Sequence, residues 1–377
     1  MDASQRLLDR FVRLCEVPSP TGSERAVADD VLADLRALGV DVTEDEAAGP
    51  ARAGAGNLIA RVPGRGGESV AFFAHMDTVP HDAPVEVVLA DGVFRSAGDT
   101  ILGADNKAAV TVLVELAARA VADPLPAALE LVFTVAEEDG LRGASELDVS
   151  SLRSPFGFVL DHASPLGEVI TAAPTYNAVI AEFEGIEAHS GIRPEDGRSA
   201  IAAAAAAIGA MKLGRLDEET TANVGVISGG TASNVVPGAC RVEAEARSLD
   251  EAKASAVTGA LVDACTWAAS EGGCDVDVDV IEKFRGYRLP PGSTPVRVAS
   301  RALERCGIAP RLTATGGGSD ANALLVQGFD CVLLANGTEA NHTPAESVAS
   351  ARIVEMLAVC EAIAQLAGET ESQDGEA

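Results

Sequence analysis

Four short apolar runs in the first half of the chain, at 57–62, 70–75, 128–136 and 156–161, have strand length and consist mostly of Val, Leu, Ile, Phe and Ala. Between the second and third lies a helical pattern, Asn106 to Val121. Strands of this kind alternating with helices argue for an α/β domain whose sheet is largely buried. Upstream, residues 4–16 have helical spacing and stop at Pro18 and Pro20. Ser23 and Glu24 then open a second helix, in which Val27, Val31, Leu32, Leu35 and Leu38 share one face before Gly39 ends it.

The character of the chain changes near Pro174. A strand-like run at 178–184 is followed by a Gly-rich loop, an Ala-rich helix at 199–212, strands at 223–227 and 239–246, a helix at 250–270 and a strand at 275–281. This β-α-β-β-α-β order is that of a ferredoxin-like sandwich. Pro290-Pro291-Gly292 marks the return to the first domain. The expected organisation is a discontinuous catalytic domain, 1–175 and 291–367, interrupted by an inserted α+β domain, 176–290. The polar, acidic tail, 368–377, is expected to be disordered.

With 57 acidic and 28 basic residues the formal net charge is −29, a field that repels phosphate backbones and anionic lipid. Nucleic acid and membrane surfaces are therefore excluded as expected partners. Seven cysteines, scattered singly and odd in number, argue for reduced thiols, and the N-terminus has no signal-peptide pattern. A cytoplasmic location is expected.

The chain has only five histidines, and two of them, His75 and His342, are candidate metal ligands. His75-Met76-Asp77 ends the second apolar run. Spacing of two on a strand points both side chains to one side, so one can bind a metal while the other fixes the imidazole's tautomer. Asp105 precedes the helix, where an isolated Asp is ordinarily an N-cap. Glu137 and Glu138 follow the third run; Asp139-Gly140 reads as a turn, but adjacent carboxylates can divide the work of metal ligand and proton shuttle. Asp161 ends the fourth run, an expensive place for an unpaired carboxylate. His342 lies before the last helix. Two imidazoles with four or five carboxylates make a ligand stock for a pair of divalent metals, zinc by default, with cobalt or manganese as alternatives. Open α/β sheets place their sites at these strand ends.

In this order the motifs resemble the M20 family of dinuclear metallopeptidases, nearest to its peptidase T (tripeptidase) branch. They are Pro18-Ser19-Pro20, His75-Met76-Asp77-Thr78-Val79, Gly103-Ala104-Asp105-Asn106-Lys107, Glu137-Glu138-Asp139-Gly140, Leu160-Asp161, Ala188-His189-Ser190-Gly191, Asn234-Val235-Val236-Pro237, Glu245-Ala246-Arg247-Ser248, Gly316-Gly317-Gly318-Ser319-Asp320 and His342. The resemblance implies a phosphorylase/hydrolase-like zinc-peptidase domain with a ferredoxin-like lid that forms a homodimer. It implies that His75 and Asp161 hold one metal, Glu138 and His342 the other, and that Asp105 bridges both together with a water or hydroxide. Asp77 would orient His75, and Glu137 would be the general base. His189 would stabilise the oxyanion in a neighbouring subunit's site. Asn234, Arg247, Gly317 and Ser319 would bind a short peptide, although Arg247 reads equally as a strand ion pair.

Asn106 stands where many members have an acid, and Asp139 where a small apolar residue is common. His81 reads as a loop residue, and His162 as packing or support beside Asp161. An aminopeptidase of short peptides is the leading expectation. An N-acyl amino acid hydrolase with the same chemistry is the alternative, and a non-catalytic dimeric binding protein conflicts with the intact Glu137.

Overall fold

The computed structural model describes residues 3–369, so the expected disorder of the tail lies, from 370 onward, outside the described residues. In chain order the elements begin with α1 (Ala3–Glu16), α2 (Arg25–Ala37), β1 (Asp41–Glu44), β2 (Leu58–Val62), β3 (Ser69–His75), β4 (Val87–Ala90) and β5 (Val93–Ser96). Then come α3 (Ala104–Ala122), β6 (Ala128–Thr134), α4 (Arg142–Glu146), β7 (Phe156–His162) and β8 (Glu168–Ala173). A second stretch holds β9 (Thr175–Glu184), β10 (Ala188–His189), α5 (Ala200–Ala210), β11 (Gly214–Arg215), β12 (Thr220–Gly229), β13 (Val235–Val236), β14 (Ala239–Ser248), α6 (Glu251–Gly272), β15 (Asp275–Phe284) and β16 (Tyr287–Arg288). The chain closes with α7 (Thr294–Arg305), β17 (Arg311–Ala314), α8 (Asp320–Val326), β18 (Asp330–Ala335), β19 (Thr338–Glu339), β20 (Ser347–Ala349) and α9 (Ser350–Ala367).

Two compact units emerge. The first contains the described residues up to Thr171, Leu289–Ala314 and those from Ser319 onward; the second contains Ala172–Arg288 and Thr315–Gly318. Residues 315–318, expected in the first domain, thus group with the second.

The first unit is built on a mixed sheet in the order β1-β2-β6-β3-β7-β18-β8, with β17 also on β8. Its centre, β6-β3-β7-β18, is parallel. Central parallel strands are covered on both faces, which is why β3 and β6 are buried along six of their seven residues and read as unbroken apolar runs. Phe72 and Phe158 pack there at 5.7 Å between centroids with no exposure, each burial contributing about 2–3 kcal/mol. Helix α3 is apolar nearly all round and is buried at 14 of its 19 residues, as a helix inside a layered core must be. A smaller sheet, β19-β20-β5-β4, was not legible in the sequence because its strands are two to four residues long.

The second unit has the expected order of elements. Its antiparallel sheet runs β11-β12-β14-β9-β15, and α5 and α6 pack Ala203, Ala204, Ala207, Cys265, Ala268 and Ala269 against it. The fold is therefore an α/β domain with an inserted ferredoxin-like α+β domain. None of the seven cysteines is in a disulfide. Among the described residues no helix is long and apolar enough to cross a membrane.

Candidate metal centre

Local backbone geometry at the strand ends determines where each acid and imidazole sits. His75 is the last residue of β3 and is 2 % exposed. Glu137 and Glu138 follow β6 through Ala136, whose φ of 50° turns the chain out of the strand direction. Asp161 is the penultimate residue of β7. Asp105 lies at the start of α3 in an extended conformation (φ −82°, ψ 105°), so it is not an ordinary helix cap. His342 occupies the left-handed region at φ 64° in the loop after β19.

These six residues converge in the first unit. His75 Nε2 lies 3.2 Å from Asp105 Oδ1 and 3.2 Å from Asp161 Oδ1. His342 Nε2 lies 3.2 Å from Asp105 Oδ2 and 3.0 Å from Glu138 Oε1. Asp105 thus presents one oxygen to each imidazole. Ligand atoms of His75, Asp105 and Glu138, and of His75, Glu137 and Asp161, all lie within 4.8 Å of one another. An imidazole N–H can satisfy only one of the two oxygens it faces; a divalent cation seated among these groups would satisfy both. The mixed imidazole and carboxylate donors therefore fit such an ion.

Asp77 meets His75 chiefly through its main chain. His75 Nδ1 meets the main-chain carbonyl of Asp77 at 2.9 Å, while the Asp77 carboxylate is 3.6 Å away. That carboxylate instead accepts the amides of Glu137 (3.0 Å) and Glu138 (3.2 Å) and the Thr21 hydroxyl (2.7 Å). It fixes the two-glutamate turn against the histidine strand. The segment carrying Thr21 is in turn tied down by Ser19 Oγ donating to Met76 O at 2.8 Å.

The electrostatics show how crowded the acids are. Burial pushes the Asp161 carboxyl up to about 8, aided by Asp105 and Asp320 and opposed by His75. Burial and the charges of Asp161, Glu138 and Asp320 hold Glu137 well above the ordinary range. Burial works against protonated His75, but Asp161, Asp105 and Asp77 outweigh it and raise its pKa well above the usual value. Hydrogen bonds to Asp105 and Glu138 raise His342 to about 10.

Several supporting residues escaped the sequence reading. Asn106 donates from Nδ2 to Leu160 O (2.8 Å) and Asp161 Oδ1 (2.9 Å), a role an acid at that position could not fill. Asp320 is buried, bonded to Thr134 Oγ1, and raised to about 6 mainly by burial. The three amides of Leu102, Gly103 and Asp105 converge on Glu346. A carboxylate within the apolar-flanked run 345–348 was the signal that could have revealed Glu346. His162 Nε2 lies 3.4 Å from Glu168 Oε2, His81 is a loop residue, and exposed Asp139 pairs with Arg142.

The remaining expected site residues lie elsewhere. In the second unit, β10 pairs with β13, and Ser190 N donates to Asn234 O at 3.0 Å, so exposed His189 and Asn234 are neighbours. Arg247 is held by Glu245 (3.1 Å), the Tyr176 ring (4.1 Å to its centroid) and Gly316 O (3.3 Å), which places it next to Gly317. The ion-pair reading of Arg247 is thus realised. Ser319, in the first unit, has no exposure; its hydroxyl accepts from Ala321 N and, with Asn322, forms the capping box of α8. So enclosed, the Ser319 side chain shapes the start of the helix.

A family model described as a peptidase dimerisation domain of the M20 type matches residues 176–273, and a model of peptidase family M28 matches 57–162. The chain is 38% identical over 346 residues to the uncharacterized protein YqjE of Bacillus subtilis, covering 91% of this chain and 93% of that one. It superimposes on aminopeptidase PepT of Bacillus cereus with a TM-score of 0.86 and 37% identity, over 97% of this chain and 98% of the other. For a tripeptidase of Staphylococcus aureus the TM-score is 0.91 at 34% identity, over 97% and 99% of the two chains. A shorter match, 33% identical over 211 residues, is to acetylornithine deacetylase of Myxococcus xanthus, covering 51% of this chain and 53% of that relative. Full-length similarity at this level, together with the convergent acids and imidazoles, means that the chain belongs to the M20 family of peptidases, in its peptidase T-like tripeptidase branch.

Proposed function

We propose that this protein is a dinuclear metal aminopeptidase that removes the N-terminal residue from short peptides, tripeptides foremost. One observation carries the reading: Asp105 divides its two oxygens between two imidazoles, each of which also faces a second carboxylate. In this reading His75 and Asp161 hold one ion, Glu138 and His342 the other, and Asp105 both, with zinc the expected metal. Bound there, the ions would polarise the scissile carbonyl and make water acidic near neutral pH.

The chain's own groups do the rest. Glu137, enclosed among other acids and high in pKa, is suited to take a proton from the attacking water and return it to the leaving amine. Asp77, by gripping the Glu137 and Glu138 amides, keeps proton carrier and metal ligand in fixed relation. The second unit would form the homodimer, and exposed His189 would serve the oxyanion of a neighbouring subunit. Asn234, Arg247 and Gly317 are assigned to the peptide backbone and its carboxylate. The similarity to aminopeptidase PepT and to the staphylococcal tripeptidase supports this substrate class. The partial match to a deacetylase keeps N-acyl amino acid hydrolysis as the second reading.

The test is a panel of tripeptides, dipeptides and N-acyl amino acids with metal-loaded enzyme and a chelated control. Chelator-sensitive release of the N-terminal residue from tripeptides is expected. Turnover of N-acyl substrates alone would move the protein to the deacylase side, and silence on every substrate would refute both.

A further inference from the structure

His342 sits on a loop that its own sequence does not stabilise. Ala340 and His342 are both in the left-handed region, at φ 54° and 64°, a conformation that costs a residue with a Cβ and persists only where surrounding contacts impose it. Those contacts come from the residues just downstream and from the loop that carries Asp105. Glu346 is 1 % exposed. Its Oε2 accepts the amides of Leu102 at 2.8 Å and Gly103 at 2.9 Å, and its Oε1 accepts that of Asp105 at 2.9 Å. Its own amide donates to Thr343 O at 3.0 Å, closing a turn of residues 343–346 directly after His342. From the same loop, Asn341 Nδ2 donates to Asp105 Oδ2 at 2.8 Å.

We propose that Glu346, assisted by Asn341, is a positioning residue that clamps the Asp105 loop to the His342 loop and thereby sets the affinity of the metal these two ligands would share. This rests on the dimetal reading above. A buried carboxylate with three N–H donors is a rigid fixture, because each bond is charge-assisted and each amide lies in the main chain that carries a ligand. Glutamine at this position would keep the volume but offer one acceptor oxygen, and its NH2 group would face an amide N–H. The Asp105 and His342 loops would then separate, while His75 and Asp161, on β3 and β7, keep their positions.

The experiment titrates metal-free wild type, Glu346→Gln and Glu130→Gln with Zn2+ by calorimetry, and records the thermal midpoint of each metal-free protein. Glu130 is the matched control: a buried carboxylate that accepts the amides of Arg153 and Ser154 near the opposite end of β6. The expected result is that Glu346→Gln retains one tight site and binds the second ion about 10–100-fold more weakly, as loss of an outer-shell partner does. Glu130→Gln is expected to bind both ions as wild type does. Two sites of wild-type affinity in Glu346→Gln, with only a lowered midpoint, would reduce Glu346 to a structural role and overturn the proposal. If Glu346→Gln does not fold, Asn341→Ala decides: weakening of one site supports the clamp, and unchanged binding at both overturns it. Wild type that takes up no Zn2+ would sink the dimetal reading itself, an outcome distinct from the others.

Discussion

Replacing Glu137 with Gln isolates proton transfer from metal binding. The residue is 8 % exposed and its carboxyl sits among Asp161, Glu138 and Asp320, all acidic. Gln has the same shape, so the turn persists, because it is held through the main-chain amide of residue 137 to Asp77 at 3.0 Å and not through the carboxylate. Glu138, His342, Asp105, His75 and Asp161 keep their contacts. What disappears is a group able to accept a proton. General-base catalysis contributes roughly 10²–10⁴-fold, or about 3–5 kcal/mol of barrier at about 1.4 kcal/mol per tenfold. The expected outcome is a fall in kcat of that size on a tripeptide, with KM and metal content near wild type. Because burial and the neighbouring acids hold Glu137 well above the ordinary carboxylate range, its ionisation opposes folding, and the metal-free variant should be at least as stable as wild type. Rates and bound metal are to be measured on the same preparation. A variant with both ions bound and kcat within about tenfold of wild type would refute Glu137 as the proton carrier.

Three further outcomes follow from particular contacts. Burial raises the Asp161 carboxyl and hydrogen bonds to Asp105 and Glu138 raise His342, so the metal-free site favours bound protons, metal binding should displace them and affinity should rise with pH; calorimetric enthalpies that do not vary with buffer ionisation heat would contradict this. Glu115, with no exposed side-chain surface, holds Arg6 at 2.5 Å and Arg10 at 2.9 Å, and these guanidinium groups lower its pKa against the opposing effect of burial. That stability is present above the ordinary Glu value of about 4.3 and is lost as pH falls through the lower folded value. Glu115→Gln should cost about 2–3 kcal/mol at pH 7, discounted because Arg6 is partly exposed, and should flatten the acid limb of a urea-unfolding pH series. Gly318→Ala would set a Cβ 2.3 Å from the Phe284 ring and should destabilise the second unit by about 1–3 kcal/mol; an unchanged thermal transition would be inconsistent with that packing.

Much of the architecture was legible because it rests on burial. The runs ending at His75 and Asp161 had to be covered strands, and polar ligands at the end of an apolar strand stand out by contrast. The inserted unit was equally readable from the alternation of its strands and helices. The supporting residues were harder to read. Asn106 and Glu346 act through main-chain carbonyls and amides and Thr21 through the Asp77 carboxylate, partners brought together from distant parts of the chain, and residue type alone carries no trace of them. At Ser319 the helix cap was equally hidden: the resemblance implied a ligand contact there, and the structure shows the hydroxyl engaged by the helix that it caps. The short strands β4, β5, β19 and β20 have too few residues for any periodicity to appear.

The central claim is that the site holds two ions on which hydrolysis depends. Native mass spectrometry of the purified chain, before and after chelation and after readdition of Zn2+, tests it most directly when tripeptide hydrolysis is followed in parallel. The account predicts two divalent ions per chain, loss of hydrolysis when they are removed, and recovery when both return. Full-rate tripeptide hydrolysis by metal-free protein would contradict it.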